Sequence, residues 1–329
     1  MAREYDVLAI GNAIVDVIAS HDEAFLERLA IPKGSMRLVS ADDATALYSH
    51  MGPGRESSGG SAANTVAGVA ALGGSAAFIG RVADDQLGEV FRHDIRAVGV
   101  DYQTPAAPGK LPTGQCLIVV TPDAQRTMTT CLGVNAQLSA ADINADMVKA
   151  ARICYFEGYV WDLPEQIAAL RRAGEISHGA GRQVALTLSD VFCVEGHRDE
   201  FLGLLGNGVD LVFANENEAK SLFRTDDTDA AISAIAARAP LAIITRSEKG
   251  AVVVKGDERI AIPAAAPARV LDTTGAGDLF AAGFLAGYAK ERPLRECAVM
   301  GTVAAAEVIE HYGARPEADL KARVKAALA

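Results

Sequence analysis

Asp278 follows directly on Gly275, Ala276 and Gly277 and precedes a run of small and apolar residues, "LFAAGF". That run reads as a helix. A helix start is an anion site, because its first backbone N–H groups are unpaired and its dipole favours negative charge. A carboxylate there repels a phosphate, so the acid and the cradle must serve different groups. The amides of Gly275–Gly277 can stabilise charge that develops on a transferring phosphoryl group. Asp278 can take the proton of an attacking hydroxyl. Phosphoryl transfer needs this pairing; an Asp that caps a helix at a glycine turn is the plainer alternative. The spacing fits neither common glycine-rich loop. A dinucleotide fingerprint needs Gly or Ala where Phe280 stands, and no Gly-Lys-Ser/Thr of a Walker loop occurs.

Other residue groups suit the partners of such a reaction. In "GNAIVD" Asn12 and Asp16 follow an apolar strand, and a carboxylate at a strand end can accept from two neighbouring sugar hydroxyls. An Asp in a turn explains that stretch equally well. "GGSAAN" opens a helix: Gly59 and Gly60 permit close backbone approach, while Ser61 is either a ligand contact or an N-cap. Asn215 and Glu218 face the same way if a helix begins there, as they would on any solvated helix start. Phe156, Tyr159 and Trp161 cluster near a strand end. They offer a flat wall for a purine, which a free sugar does not need, or they are ordinary core. Arg126, in a hairpin, reaches a phosphate or is a surface arginine.

The elements that must position these groups alternate. Strand-like apolar runs occupy 5–11, 76–82, 153–159, 183–189, 210–216, 241–247 and 250–255. Several are continuous, as in parallel strands buried on both faces. Helical patterns fill 63–74, 85–99, 163–181, 218–223 and 229–239, then 277–290, 294–310 and 317–328. This is the order of a doubly wound α/β fold. Two regions interrupt it: "MRLVSADDATALYSHMGPG", and 101–133, where two strand-like runs flank the turn signal Pro122-Asp123. A small β layer over one end of the sheet, working as a lid, is expected from them.

The 329 residues allow one large α/β domain or two smaller ones, and half are hydrophobic. A net charge of −11 gives no electrostatic reason to bind nucleic acid or an anionic membrane. Five scattered cysteines without a CxxC argue against a disulfide framework and a zinc site and fit a reducing compartment. The N-terminus is charged at once and then strand-like, unlike a signal peptide. The longest uncharged stretch, 57–80, holds six glycines and is a poor membrane helix. A soluble, cytoplasmic protein is expected.

"DTTGAGDLFAAGF" (272–284) and "SGGSAANTVAGVAALGGSAAFIGRVADDQLGEVF" (58–91) resemble the C-terminal and N-terminal signatures of the ribokinase-like (PfkB) family of sugar and nucleoside kinases. The similarity extends over essentially the whole chain. It implies a three-layer αβα sandwich with a mainly parallel central sheet and a small β-sheet lid. The chain, 1–329, would then be a single kinase domain whose lid is formed by insertions at about 12–40 and 100–133. The resemblance implies Asp278 as general base over a Gly275–Gly277 anion hole. It implies Asn12, Asp16, Gly59, Gly60, Ser61 and Asn64 at the acceptor. Asn215, Thr245 and Gly250, with the Gly275 and Gly277 backbone, fall on the ATP side, and Glu218 falls on Mg²⁺ through water. "DTTG" and "GARP" resemble segments that hold a monovalent cation, which implies K⁺ at Asp272.

"GNAIVD", "SGGSAAN" and "QRTMTTCLG" resemble the adenosine kinase branch. With Tyr159 and its aromatic neighbours they lean towards phosphorylation of the adenosine 5′-hydroxyl by ATP. The alternatives are a sugar kinase of the same family (ribokinase, fructokinase or 2-keto-3-deoxygluconate kinase) and a non-catalytic nucleoside- or sugar-binding regulator. A monomer and a homodimer are both compatible with the resemblance.

Overall fold

The computed structural model describes residues 4–123 and 125–329; the first three residues of the charged N-terminus, and Ala124 beside the hairpin turn, lie outside the described residues. In chain order the strands are β1 (Tyr5–Ile10), β2 (Ile14–Ser20), β3 (Met36–Leu38), β4 (Arg55–Gly59), β5 (Ala76–Ile79), β6 (Asp101–Tyr102), β7 (Gly114–Val120), β8 (Arg126–Cys131), β9 (Ala151–Glu157), β10 (Gln183–Thr187), β11 (Leu211–Asn215), β12 (Leu241–Thr245), β13 (Ala251–Lys255) and β14 (Glu258–Ile262).

The continuous apolar runs form a nine-stranded sheet in the order β14-β13-β12-β11-β10-β9-β1-β5-β6. Pairing is parallel from β6 to β12, and β13 and β14 finish one edge antiparallel. β1 shows why its sequence carries no polar alternation. Val7 and Ala9 enter one core, with the helices Ser61–Ala71, Ala276–Tyr288 and Leu294–Val308, while Leu8 and Ile10 enter the opposite core, with Pro164–Gly179. The strand order reverses at β1, which has β5 on one side and β9 on the other. At such a switch point the carboxyl ends of the strands open a crevice.

The smaller sheet runs β3-β8-β7-β2-β4. Here the alternation is clean. On β2, Ile14 and Ile18 join Cys116, Ile118 and Val120 on one face, and Val17 joins Leu117 and Val119 on the other. The second face is covered by two short helices, Glu23–Arg28 and Ala41–His50, which contribute Phe25, Leu26, Ala44 and Leu47. Asp22 and Ser40 cap them, their side chains accepting from Phe25 N and Asp43 N. The sequence pattern gives no sign of these helices, which are short and polar outside. It gives none of β4 either: "RESSG" has no apolar alternation, and β4 lies outside both segments expected to supply this sheet. Among the described residues, no helix is long and apolar enough to cross a membrane, and all five cysteines are free and buried.

Small residues let the helices approach. A Cβ on Gly283 would lie 2.4 Å from the Met300 carbonyl oxygen on the neighbouring helix, a backbone atom that cannot turn aside. Gly203, in the helix Arg198–Asn207, has nothing within 4 Å of its Cβ position. Gly283→Ala is therefore expected to destabilise by about 1–3 kcal/mol through overpacking. Gly203→Ala is expected to stabilise by about 0.5–1 kcal/mol through helix propensity alone. Urea unfolding of the two variants checks both signs.

Candidate active site

The carboxyl ends of the central strands and the inner face of the smaller sheet enclose a cavity of about 370 Å³. Gly275 is the N-cap of the helix Ala276–Tyr288 and adopts φ +77. A Cβ there would lie 2.5 Å from the Ala314 Cβ, so the turn needs glycine on both counts. Gly275, Ala276, Gly277 and Asp278 all reach the cavity.

The Asp278 carboxylate is held at both oxygens. Ser61 Oγ donates to Oδ1 at 2.6 Å and Asn64 Nδ2 donates to Oδ2 at 2.9 Å. Both donors lie in the first turn of the helix Ser61–Ala71, so two helix starts face each other across the acid. Ser61 is not an N-cap. Gly60 takes that place at φ +94, without a side-chain cap bond. Burial raises the Asp278 carboxyl above the ordinary range, while Ser61, Asn64 and then Arg315 and Arg126 oppose the rise.

Asp16 enters from the inner face of β2 and is buried. Burial pushes it up to about 7 against the pull of Arg315, and the nearby Asp278 and Asp272 add to the rise. Asn12 and Asn64 line the same wall, and the Oδ1 of each is buried with no partner. Buried polar atoms are normally satisfied, so these two oxygens mark where a donor belongs. Gly59 does not reach the cavity: its Cβ position lies 2.1 Å from Asp16 Oδ2, and it makes room for that carboxylate.

Sequence patterns did not single out Glu157, which ends β9 and lines the cavity. Its carboxylate accepts from Asn12 N at 2.8 Å and Ala62 N at 2.6 Å. Burial lifts it to about 7, against those two hydrogen bonds. Nor did they single out Arg315 and Asn135. The Asn135 amide accepts from Ala13 N and donates to Ala13 O, fixing the entry to β2.

At the other end of the cavity stand Asn215, Glu218 and Thr245. Asn215-x-x-Glu218 is a capping box: Asn215 Oδ1 accepts from Glu218 N, and Glu218 accepts from Asn215 N at 2.9 Å and from its Nδ2 at 2.5 Å. Burial raises the Glu218 carboxyl to about 7. Each carboxylate oxygen keeps a lone pair after these bonds. The donor set therefore fits Mg²⁺ held through water, the usual mode for this ion. Among the described residues no group of three or more His, Cys, Asp or Glu is placed to hold a metal. Gly250 stands away from the cavity, its Cβ position pressed against the backbone of Ile262–Ala264.

Asp272 is fully buried. Thr274 N and Oγ1 donate to its Oδ1, and Gly313 N donates to Oδ2. Arg126 Nε lies 3.8 Å from Oδ1. The carboxylate thus knots "DTTG" to "GARP", and a guanidinium already faces it. This set does not fit a K⁺ site. Arg126 itself reaches the cavity. The expected aromatic wall is mostly core: Phe156 and Trp161 are buried in the second core, Trp161 against Phe201 at 6.0 Å. Tyr159 lines the cavity, and its hydroxyl donates to Ser189 O at 3.3 Å.

A family model described as pfkB family carbohydrate kinase matches residues 36–320. The crystal structure of an adenosine kinase from Sinorhizobium meliloti is 52% identical, with a TM-score of 0.95 over 98% of this chain and 99% of that one. A probable sugar kinase from Rhizobium etli CFN 42 is 50% identical, with a TM-score of 0.95 over 99% of each chain. The adenosine kinase of Saccharomyces cerevisiae is 28% identical over 331 residues, covering 93% of this chain and 95% of its own. The chain belongs to the pfkB family of carbohydrate kinases and is a phosphotransferase that acts on a hydroxyl group.

Proposed function

We propose that this kinase transfers the γ-phosphoryl group of ATP to the 5′-hydroxyl of adenosine, with the whole chain as one catalytic unit and the smaller sheet as its lid. One observation carries the reading. The cavity joins a hydroxyl-binding wall of Asn12, Asp16 and Asn64 to an apolar lid face of Ile14, Cys116, Ile118 and Met128. A ribose fits the first and a flat purine the second, whereas a free sugar has no use for the second. The name of the Sinorhizobium meliloti neighbour supports the same acceptor; that of the Rhizobium etli neighbour supports a sugar.

Asp278 takes the proton as the acceptor O–H bond breaks and the new O–P bond forms; the bond between the γ-phosphorus and the β,γ-bridging oxygen breaks, and its electron pair leaves with ADP. Ser61 and Asn64 hold its carboxylate on the reacting line. The Gly275–Gly277 amides face the charge that develops on the phosphoryl oxygens. Asn12 and Asp16 accept from ribose hydroxyls, with Gly60 leaving room for the sugar. Asn215 and Thr245 face the nucleotide. Glu218 would hold Mg²⁺ through water, and the ion would neutralise phosphate charge. Closure of the lid excludes water, so ATP is not hydrolysed.

ADP release with Mg-ATP against adenosine, inosine, guanosine, ribose, fructose and 2-keto-3-deoxygluconate is expected to be confined to nucleosides, adenosine first. Turnover on a free sugar would keep Asp278 and discard the purine face. Binding of one compound without turnover would favour a regulator. Asp278→Asn is expected to bind acceptor normally and lose at least about 10²-fold in kcat; near-normal turnover would sink the assignment.

The pH profile follows from the buried acids. Asp278 works only when unprotonated, and burial raises it; Asp16, at about 7, accepts from two hydroxyls only when ionised. The acceptor kcat/KM should therefore rise with pH and reach half its plateau near neutrality. An acid limb near the ordinary carboxylate value of about 4 would contradict this.

A further inference from the structure

Arg315 is absent from the cavity wall, yet it bonds to two of the elements that carry that wall. Its Nε donates to Ser58 O at 2.9 Å and its Nη2 to Ser58 Oγ at 3.0 Å, both on β4 of the lid. Its Nη1 donates to Ala63 O at 2.6 Å, in the first turn of the helix that carries Ser61 and Asn64. Its own loop is anchored on either side. Gly313 N donates to Asp272, and Glu317 N and Ala318 N donate to the buried carboxylate of Glu307. Ala314, the preceding residue, is the one against which Gly275 packs.

The charges that face Arg315 are acidic. Asp16 comes from β2, Asp278 from the helix Ala276–Tyr288, and Asp94 from the helix Gln86–Ala97. Asp94 also accepts from Ser58 N at 3.1 Å. Arg126 and Asp272 stand beside the same acids, and Glu157 is near Asp278. Burial pulls Arg315 down only to about 10, so it is a cation across the working range. A planar fork with several donors in fixed directions suits three acceptors on two elements in a way a lysine ammonium does not.

We propose that Arg315 is a positioning residue for phosphoryl transfer: from behind the cavity wall its guanidinium ties β4 to the helix Ser61–Ala71 and supplies the positive charge against which Asp16 and Asp278 ionise. It touches neither the acceptor nor the phosphoryl group. The inference rests on the reading of Asp278 as proton acceptor, and its test uses a readout that needs no turnover.

The full chain, labelled with ¹³C at aspartate Cγ, is titrated by NMR as wild type, Arg315→Gln and Arg315→Lys. D16N and D278N assign the two signals. In R315Q both midpoints are expected to rise by about one pH unit or more, the usual effect of losing a close opposite charge. In R315K, which keeps the charge and loses the fork, they are expected to stay with the wild type while the acceptor KM rises. Midpoints that do not move in R315Q would overturn the proposal, even if its melting temperature falls, because Arg315 would then be packing alone. Midpoints that move in R315K would overturn it too, and this variant decides the question if R315Q does not fold. A wild type inactive on every acceptor would instead remove the kinase reading, and it would do so without shifting a carboxylate signal.

Discussion

Glu157, buried at the end of β9, accepts two backbone N–H bonds, and its neighbours take their positions from those bonds. Asn12 N begins the segment that leaves β1 for the smaller sheet, and Ala62 N lies in the helix turn that carries Ser61 and Asn64. Ser61 and Asn64 in turn fix Asp278. One carboxylate at the end of β9 thus sets the spacing between the start of the smaller sheet, the cavity wall and the candidate base. The geometry leaves no slack: a Cβ on Gly11 would lie 2.6 Å from Glu157 Oε2 and from the Ala62 Cβ. Leaving either N–H unpaired would cost roughly 1–3 kcal/mol.

The same compactness creates an electrostatic problem. Asp16, Glu157, Asp272 and Asp278 gather around one cavity, with Arg315 and Arg126 as the nearby cations. Asp16, Glu157 and Glu218 are each pushed up to about 7 by burial. A raised acid pKa means the folded chain holds the proton more tightly than the unfolded chain. The stability these groups contribute is therefore complete below about pH 4 and is lost as pH rises towards 7. The unliganded site is least comfortable in the pH range where its acids are ionised for work. A ligand that brings hydroxyl donors, or a metal that brings charge, relieves that discomfort.

What the sequence revealed follows a physical division. Parallel strands buried on both faces announce themselves as unbroken apolar runs, so seven of the nine strands of the central sheet were legible; the two edge strands were not, because β6 has only two residues and β14 alternates exposed Glu258, Arg259 and Ala261 with buried Ile260 and Ile262. The cradle at Gly275–Gly277 was legible because a left-handed turn ahead of a helix needs glycine. Glu157 and Arg315 were not, because each acts on backbone atoms far away in the chain, and nothing local distinguishes such a Glu or Arg from a surface one. Ser61 shows the reverse error available to pattern reading: it looks like an N-cap and is a side-chain donor to Asp278. Asn215 and Glu218, which suggested metal chemistry, spend their closest bonds on capping their own helix. Phe156 and Trp161 misled for the simplest reason, since alternation places them on the core side of β9 and of the turn after it. Gly250 has a positive φ that explains its glycine without any ligand.

The two helices on the outer face of the smaller sheet also bear on how the chain comes off the ribosome. β2 pairs in parallel with β7, Ile14 opposite Gly114, so its partner emerges roughly a hundred residues later. Through that interval one face of β2 would present Val17 to water. The helices Glu23–Arg28 and Ala41–His50, followed by the antiparallel partner β4, are encoded within that gap. We expect them to shield the nascent strand until the β7–β8 hairpin arrives. Helices that serve the finished fold only as an outer layer would then also cover one face of the smaller sheet during synthesis, before its central strands are complete.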